Sequence, residues 1–184
     1  IAVFPEGDHA SELAHLGLIA QETLDLAGAR AYLQQAYDAA QETGDSWLHA
    51  FVSNYLADVL RELGELEAAT HLAQQSLRIF TDLDDSYYQP DAQLTLAQIA
   101  LVEGKYETAV SLAELAYARY AAREDAPLMA AALLVQAELA GNMGHGETAV
   151  TLLSRSRALR QSAKRVISPR EQAHYDRLAR MVSA

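Results

Sequence analysis

The chain has 184 residues, half of them apolar (51%), which suits one folded body or one array of repeats and excludes a disordered or collagen-like chain. It contains no cysteine, so disulfides, thiolate metal sites and a cysteine nucleophile are excluded. The net charge of −11 is divided unevenly: residues 1–154 hold 6 Lys/Arg against 23 Asp/Glu, and residues 155–184 hold 8 against 2, so the acidic body repels nucleic-acid phosphates.

Residues 1–8 (IAVFPEGD) read as an incoming linker. Leu and Ala then dominate at helical spacing, and helix pairs are predicted at 9–22/26–41, 46–63/66–81, 86–103/106–122 and 126–142/146–162. In the second pair, Val52, Tyr55, Leu56, Val59, Leu60 and Leu63 fall at i, i+3, i+4, i+7, i+8 and i+11, one broad stripe. Asp45 or Ser46 supplies its N-cap. Gly64 ends it, where a left-handed backbone costs glycine little. A ninth helix is predicted over 168–184, opened by "SPRE": Ser168 as cap, Pro169 at the first helical position and Glu171 closing a capping box. The basic run RSRALRQSAKR reads either as cations offsetting a helix C-terminus or as a contact for an anionic partner.

The pairs are copies of one unit. Gly64, Gly104 and Gly144 stand 40 residues apart, as do Ala29, Ala69, Ala109 and Ala149, and Asp45, Asp85 and Asp125. Gln34-Gln35 return as Gln74-Gln75. A repeat of this length sets the whole fold: all-α, an α-solenoid of antiparallel helix pairs, with four repeats (9–41, 46–81, 86–122, 126–162) and a C-terminal capping helix over 168–184. Small residues mark where helices come closest: Gly17, Ala57, Ala97 and Ala137 on first helices, and Ala29, Ala69, Ala109 and Ala149 on second helices.

Leu16-Gly17, Ala20, the turn glycines, Tyr106 and Ala109 resemble the tetratricopeptide repeat (TPR) over about residues 9–160. The departures are the 40-residue period, the lack of a Pro closing each second helix, Gln136 where Leu is usual and Gly146 where Tyr is usual. The resemblance implies a right-handed superhelix whose first helices line a concave groove. The long-period texture of LGLIAQETLDLAGARAYLQQAYDAAQETGD is similar to the C-terminal sensor halves of bacterial signalling ATPases of the maltose-activator kind, which often end in a LuxR-type DNA-binding helix pair.

Carried onto this chain, the groove positions are Ser11, Ala14, Leu18 and Gln21 in the first copy and Phe51, Asn54, Asp58 and Arg61 in the second. The third gives Asp91, Leu94, Gln98 and Leu101; the fourth gives Ala131, Leu134, Glu138 and Gly141. The partner-binding surface expected from them is Phe51, Asn54, Asp58, Arg61, Asp91, Leu94, Gln98, Leu101, Leu134 and Glu138. Phe51, Leu94, Leu101 and Leu134 are expected to be exposed apolar anchors for a helix or extended peptide. Arg61 is the one cation among those sixteen positions, so a clamp for acidic tails is missing and an apolar or mildly basic ligand is expected.

No catalytic residue is expected: there is no phosphate loop, no GxGxxG and no GxSxG elbow. No metal is expected either, because the six histidines lack HExxH or i, i+4 pairing. No cofactor follows. No apolar run reaches the roughly 18–20 residues of a membrane span and no signal peptide is visible, so a cytoplasmic protein without membrane or direct nucleic-acid contacts is expected. The chain begins with Ile1 rather than Met and is expected to be an excerpt of a longer one. Three functions stand open: the peptide-docking or sensory part of a larger regulator whose other domains it touches, a structural or self-associating scaffold, and a small-molecule inducer sensor.

Overall fold

The computed structural model describes residues 6–164 and 166–182. Among these there are nine helices and no strand. In order they are α1 (Glu6–Glu22), α2 (Leu26–Thr43), α3 (Ser46–Glu62), α4 (Leu66–Asp82), α5 (Gln89–Val102), α6 (Tyr106–Ala122), α7 (Ala126–Asn142), α8 (Gly146–Ser162) and α9 (Pro169–Val182). The chain divides into two compact units after Thr95, inside α5. In the first, α1 pairs with α2 and α3 with α4, while α3 also packs on α2 and α1. In the second, α7 pairs with α8 and packs on α6, and α9 lies on both α7 and α8.

The short turns between helices share one backbone device. A residue in the left-handed region stands at 24, 44, 64, 84, 104, 124, 144 and 164, one every twenty residues. The predicted period of 40 is therefore two half-periods with matching turns. Gly64 takes this conformation without penalty, at φ 83°. Leu24 takes it at φ 68° although its Cβ crowds the following carbonyl. Aspartates then cap the next helices. Asp25 accepts from the Gly28 N–H at 2.9 Å, Asp45 from Leu48 N–H at 2.9 Å and Asp125 from Leu128 N–H at 3.2 Å.

Two helix starts differ from the sequence expectation. α1 starts at Glu6, inside the expected linker 1–8, whose residues 1–5 lie outside the described ones. α5 starts at Gln89 rather than 86, because Pro90 fits only a first turn. Deeper in a helix, Pro90 would deprive the carbonyl four residues back of its donor and press its ring on it. Asp85 instead holds the preceding turn, accepting from the N–H groups of Tyr87 (3.0 Å) and Tyr88 (3.1 Å). At α9, Ser168 caps Glu171 N–H at 3.1 Å, but the Glu171 carboxylate takes Arg160 rather than completing the box.

The small residues lie where the helices approach most closely. Ala29, Ala69, Ala109 and Ala149 are wholly buried, as are Gly17, Ala57, Ala97 and Ala137. A Cβ on Gly17 would stand 2.5 Å from Leu33 Cγ, so any larger residue pushes α1 off α2. Buried apolar area supplies the driving force, at about 25 cal/mol per Å², and these positions set how closely it can be gathered. On α9, Tyr175 and Leu178 pack with Leu134, Ala137 and Leu153, and Ser156 shares a 2.7 Å hydrogen bond with Tyr175 Oη.

Ala109→Leu is expected to destabilise the protein by about 1–3 kcal/mol through overpacking. Glu107→Gln, on the exposed side of the same helix, should stay within roughly 0.5 kcal/mol of the parent. Urea unfolding of the two variants decides, and equal midpoints would refute the packing assignment. Leu24→Gly should instead stabilise by about 0.5–1 kcal/mol, since relief of left-handed strain exceeds the added freedom of the unfolded chain. A lowered melting temperature would show that Leu24 bears no strain.

Candidate functional site

In the first unit the surface of interest grows from α3. This helix touches α1, α2 and α4, and most of its circumference is buried. What stays open or half-open is Ser46, Trp47, His49, Phe51, Tyr55, Arg61 and Glu62. Three aromatic residues at i, i+4 and i+8 form one ridge. Trp47 stacks on Phe51 at 5.3 Å between ring centroids, and Phe51 meets Tyr55 at 4.7 Å. Tyr88, from the turn that Pro90 forces, presents its edge to Trp47 (5.2 Å) and to Phe51 (5.7 Å) and stacks on Phe80 (5.6 Å). Asp85 anchors the ridge by accepting from Trp47 Nε1 at 2.9 Å.

Beside the ridge runs a polar row. Asp58 accepts from Gln21 Nε2 of α1 at 2.9 Å on one oxygen. On the other it accepts from Arg61 Nε (2.9 Å) and an Arg61 terminal nitrogen (2.6 Å), which also reaches Glu62 at 3.3 Å. Breaking so sheltered a pair would strand a charge, so it fixes these side chains in place. The Tyr55 phenol is pushed above its ordinary pKa range, first by burial and then by the negative potential of Asp91, Tyr88, Asp58 and Glu22. Three carboxylates from α1, α3 and α5 therefore bear on one phenol. Asn54, buried on the same face, has an Oδ1 with no hydrogen-bond partner.

Of the ten residues expected on a partner surface, Phe51, Asn54, Asp58, Arg61, Asp91 and Leu94 belong to the first unit, and Gln98, Leu101, Leu134 and Glu138 to the second. The expected exposure needs correction. Leu94, Leu101 and Leu134 are 9%, 7% and 3% exposed, and only Phe51 among the four apolar anchors is half-open. A first helix is wrapped on more sides than a simple groove picture allows. On α3 the open strip is turned by roughly 45° from the expected one, at about 100° per residue.

On α7 the cause is a specific neighbour. Leu134 is covered by Tyr175 and Leu178 of α9. Glu138 receives His174 Nε2 and an Arg177 nitrogen of α9, each at 2.9 Å. Gly141 faces Met181. The chain's own ninth helix thus occupies the face of α7 assigned to a partner. Gln98 is half-buried on α5.

Sequence reasoning misses Trp47, Tyr55 and Tyr88 as surface residues. The i, i+4, i+8 aromatic spacing is the available signal, but the apolar periodicity of α3 places Tyr55 in the core stripe. Among the described residues no three His, Cys, Asp or Glu side chains come together as metal ligands would, and no helix is long and apolar enough to cross a membrane.

Comparison with known proteins bears on this arrangement. Residues 9–82, which hold α3 and its ridge, match the tetratricopeptide repeat family. No curated protein matches the chain. Among solved structures it is similar to a putative kinesin light chain of Podosopora anserina with nearly identical TPR-like repeats, and to a single-substitution variant of that protein. Each is 21% identical, with a TM-score of 0.67 over 98% of this chain and 88% of the other. Residues 9–82 thus match the tetratricopeptide repeat, and the chain has the all-α helical-repeat fold of its TPR-like structural neighbours.

Proposed function

We propose that this chain is a protein- or peptide-docking module without catalytic activity of its own, working in the cytoplasm as the sensory or docking part of a larger bacterial signalling or transcription regulator. Tetratricopeptide repeats generally mediate protein–protein interaction. The observation that carries the reading here is the aromatic ridge of Trp47, Phe51 and Tyr55, left half-open on a first helix of the matched segment while nearly every other apolar residue of that helix is buried. Such a ridge offers large contact area on stiff side chains, which is how interface anchors act. A segment docking there would shift its parent between states by binding one of them more tightly.

A second reading, the self-associating scaffold, draws on α1. Leu16 and Ile19 are 45% and 61% exposed, whereas Leu56 and Val59, forty residues on, are buried in the first unit. Sedimentation showing a monomer at 100 µM (roughly a typical weak-dimer Kd) would remove that alternative.

The docking reading is tested by panning a displayed peptide library against the chain. Enriched peptides should bind with Kd on the order of micromolar, about −8 kcal/mol. Phe51→Ala should weaken them at least tenfold with helical circular dichroism unchanged. No enrichment, or equal binding by the folded variant, would overturn it.

A further inference from the structure

We propose that the face of α7 and α8 beneath α9 is a helix-docking surface, with α9 as its resident, releasable ligand. The partner that displaces α9 is an amphipathic helix of the same pattern: a tyrosine, an arginine two residues on and a leucine three on. This goes beyond the α3 reading and does not depend on it. The seated helix shows the fit. Tyr175 and Leu178 share one side of α9 and enter the apolar cluster of Leu134, Ala137 and Leu153. Ser156 Oγ donates to the Ala130 carbonyl at 2.8 Å, so the 2.7 Å bond between Ser156 and Tyr175 takes its proton from the phenol. The pocket therefore reads a ring with a hydroxyl. Arg177 donates to Glu138 at 2.9 Å, and Glu171 of α9 receives Arg160 of α8. A Cβ on Gly141 would collide with Met181 Cε, so the glycine leaves the space that this side chain fills.

The shallow seating of α9 makes it exchangeable. Tyr175 and Leu178 are its two buried residues, against eight on α7. Its link to Glu138 lies at the rim, where Arg177 is 58% exposed and water and salt weaken the pair. A segment with so few buried apolar contacts opens at lower free energy than the body it rests on. Opening uncovers Leu134, Ala137 and Leu153 together, an apolar patch edged by Glu138. A competing helix finds there every group that now holds α9.

The test uses the full chain and a fluorescein-labelled peptide of residues 169–182 (PREQAHYDRLARMV). The chain has no cysteine, so Gly141→Cys with Met181→Cys gives one oxidisable pair. A Cβ at 141 would stand 3.8 Å from Met181 Cγ, the place the substituted sulfur takes. Fluorescence anisotropy should show the peptide binding the oxidised, locked variant at least tenfold more weakly than the reduced one. Tyr175→Ala with Leu178→Ala in the chain, with helicity checked, should strengthen peptide binding at least tenfold over the parent by emptying the face. Tyr175→Phe or Arg177→Gln in the peptide should each weaken it at least threefold. In the parent, amide hydrogen exchange should show α9 at least tenfold less protected than α7. Equal protection of the two helices would mean that α9 leaves only on global unfolding, and the proposal falls. Binding indifferent to the lock, or none to the emptied variant, places no docking surface under α9 and overturns it as well.

Discussion

The fold depends on how closely two helices can approach. A helix pair of this kind buries its stripe only if the axes come near enough for side chains to interlock, and that distance is set by the wholly buried Ala29, Ala69, Ala109 and Ala149 and by Gly17 against Leu33. One extra methylene there would separate every contact along the pair, because interiors are packed like crystals rather than oil. The composition follows: alanine is abundant because it is the largest residue that fits, and it is also the best helix former.

Close packing leaves α3 little free circumference, and that gives the candidate site its character. A helix clasped by α1, α2 and α4 has only a narrow strip for other uses. That strip carries rings and carboxylates, with Arg61 held down by Asp58. On α7, Leu134 and Glu138 stand eighty residues after Asn54 and Asp58 and are covered by α9, whose His174 and Arg177 reach Glu138. In both helices the sheltered carboxylate is thus met by an arginine, Arg61 on Asp58 and Arg177 on Glu138.

Much of this was legible in the sequence because it repeats. A glycine returning at 64, 104 and 144 marks a backbone conformation, and an alanine returning at 29, 69, 109 and 149 marks a steric limit; both are local and survive translation along the chain. The start of α5 departs from the expectation because Pro90 breaks the periodicity that would place it. Exposure was harder to read. Whether Leu134 faces water depends on Tyr175, forty-one residues later on another helix. A stripe on a helical wheel fixes an angle only to within a residue, and on α3 a turn of about 45° exchanged Asn54 for Tyr55 at the surface. The ridge itself needed Tyr88, whose place follows from a proline and an aspartate in a turn rather than from any helical pattern.

The left-handed residue that recurs every twenty positions, from 24 to 164, has a consequence for how such a chain can change its length. Six of the eight junctions enter the next helix two residues after the left-handed position, so duplicating or excising a 40-residue block between two of them rejoins like to like. A single inserted residue inside a helix does the opposite, swinging everything beyond it by about 100° and turning a buried alanine face toward water. Copy number is therefore open to variation in whole blocks, while register within a block is held rigidly. Smaller insertions are accommodated only in the turns, where no helical register is carried across.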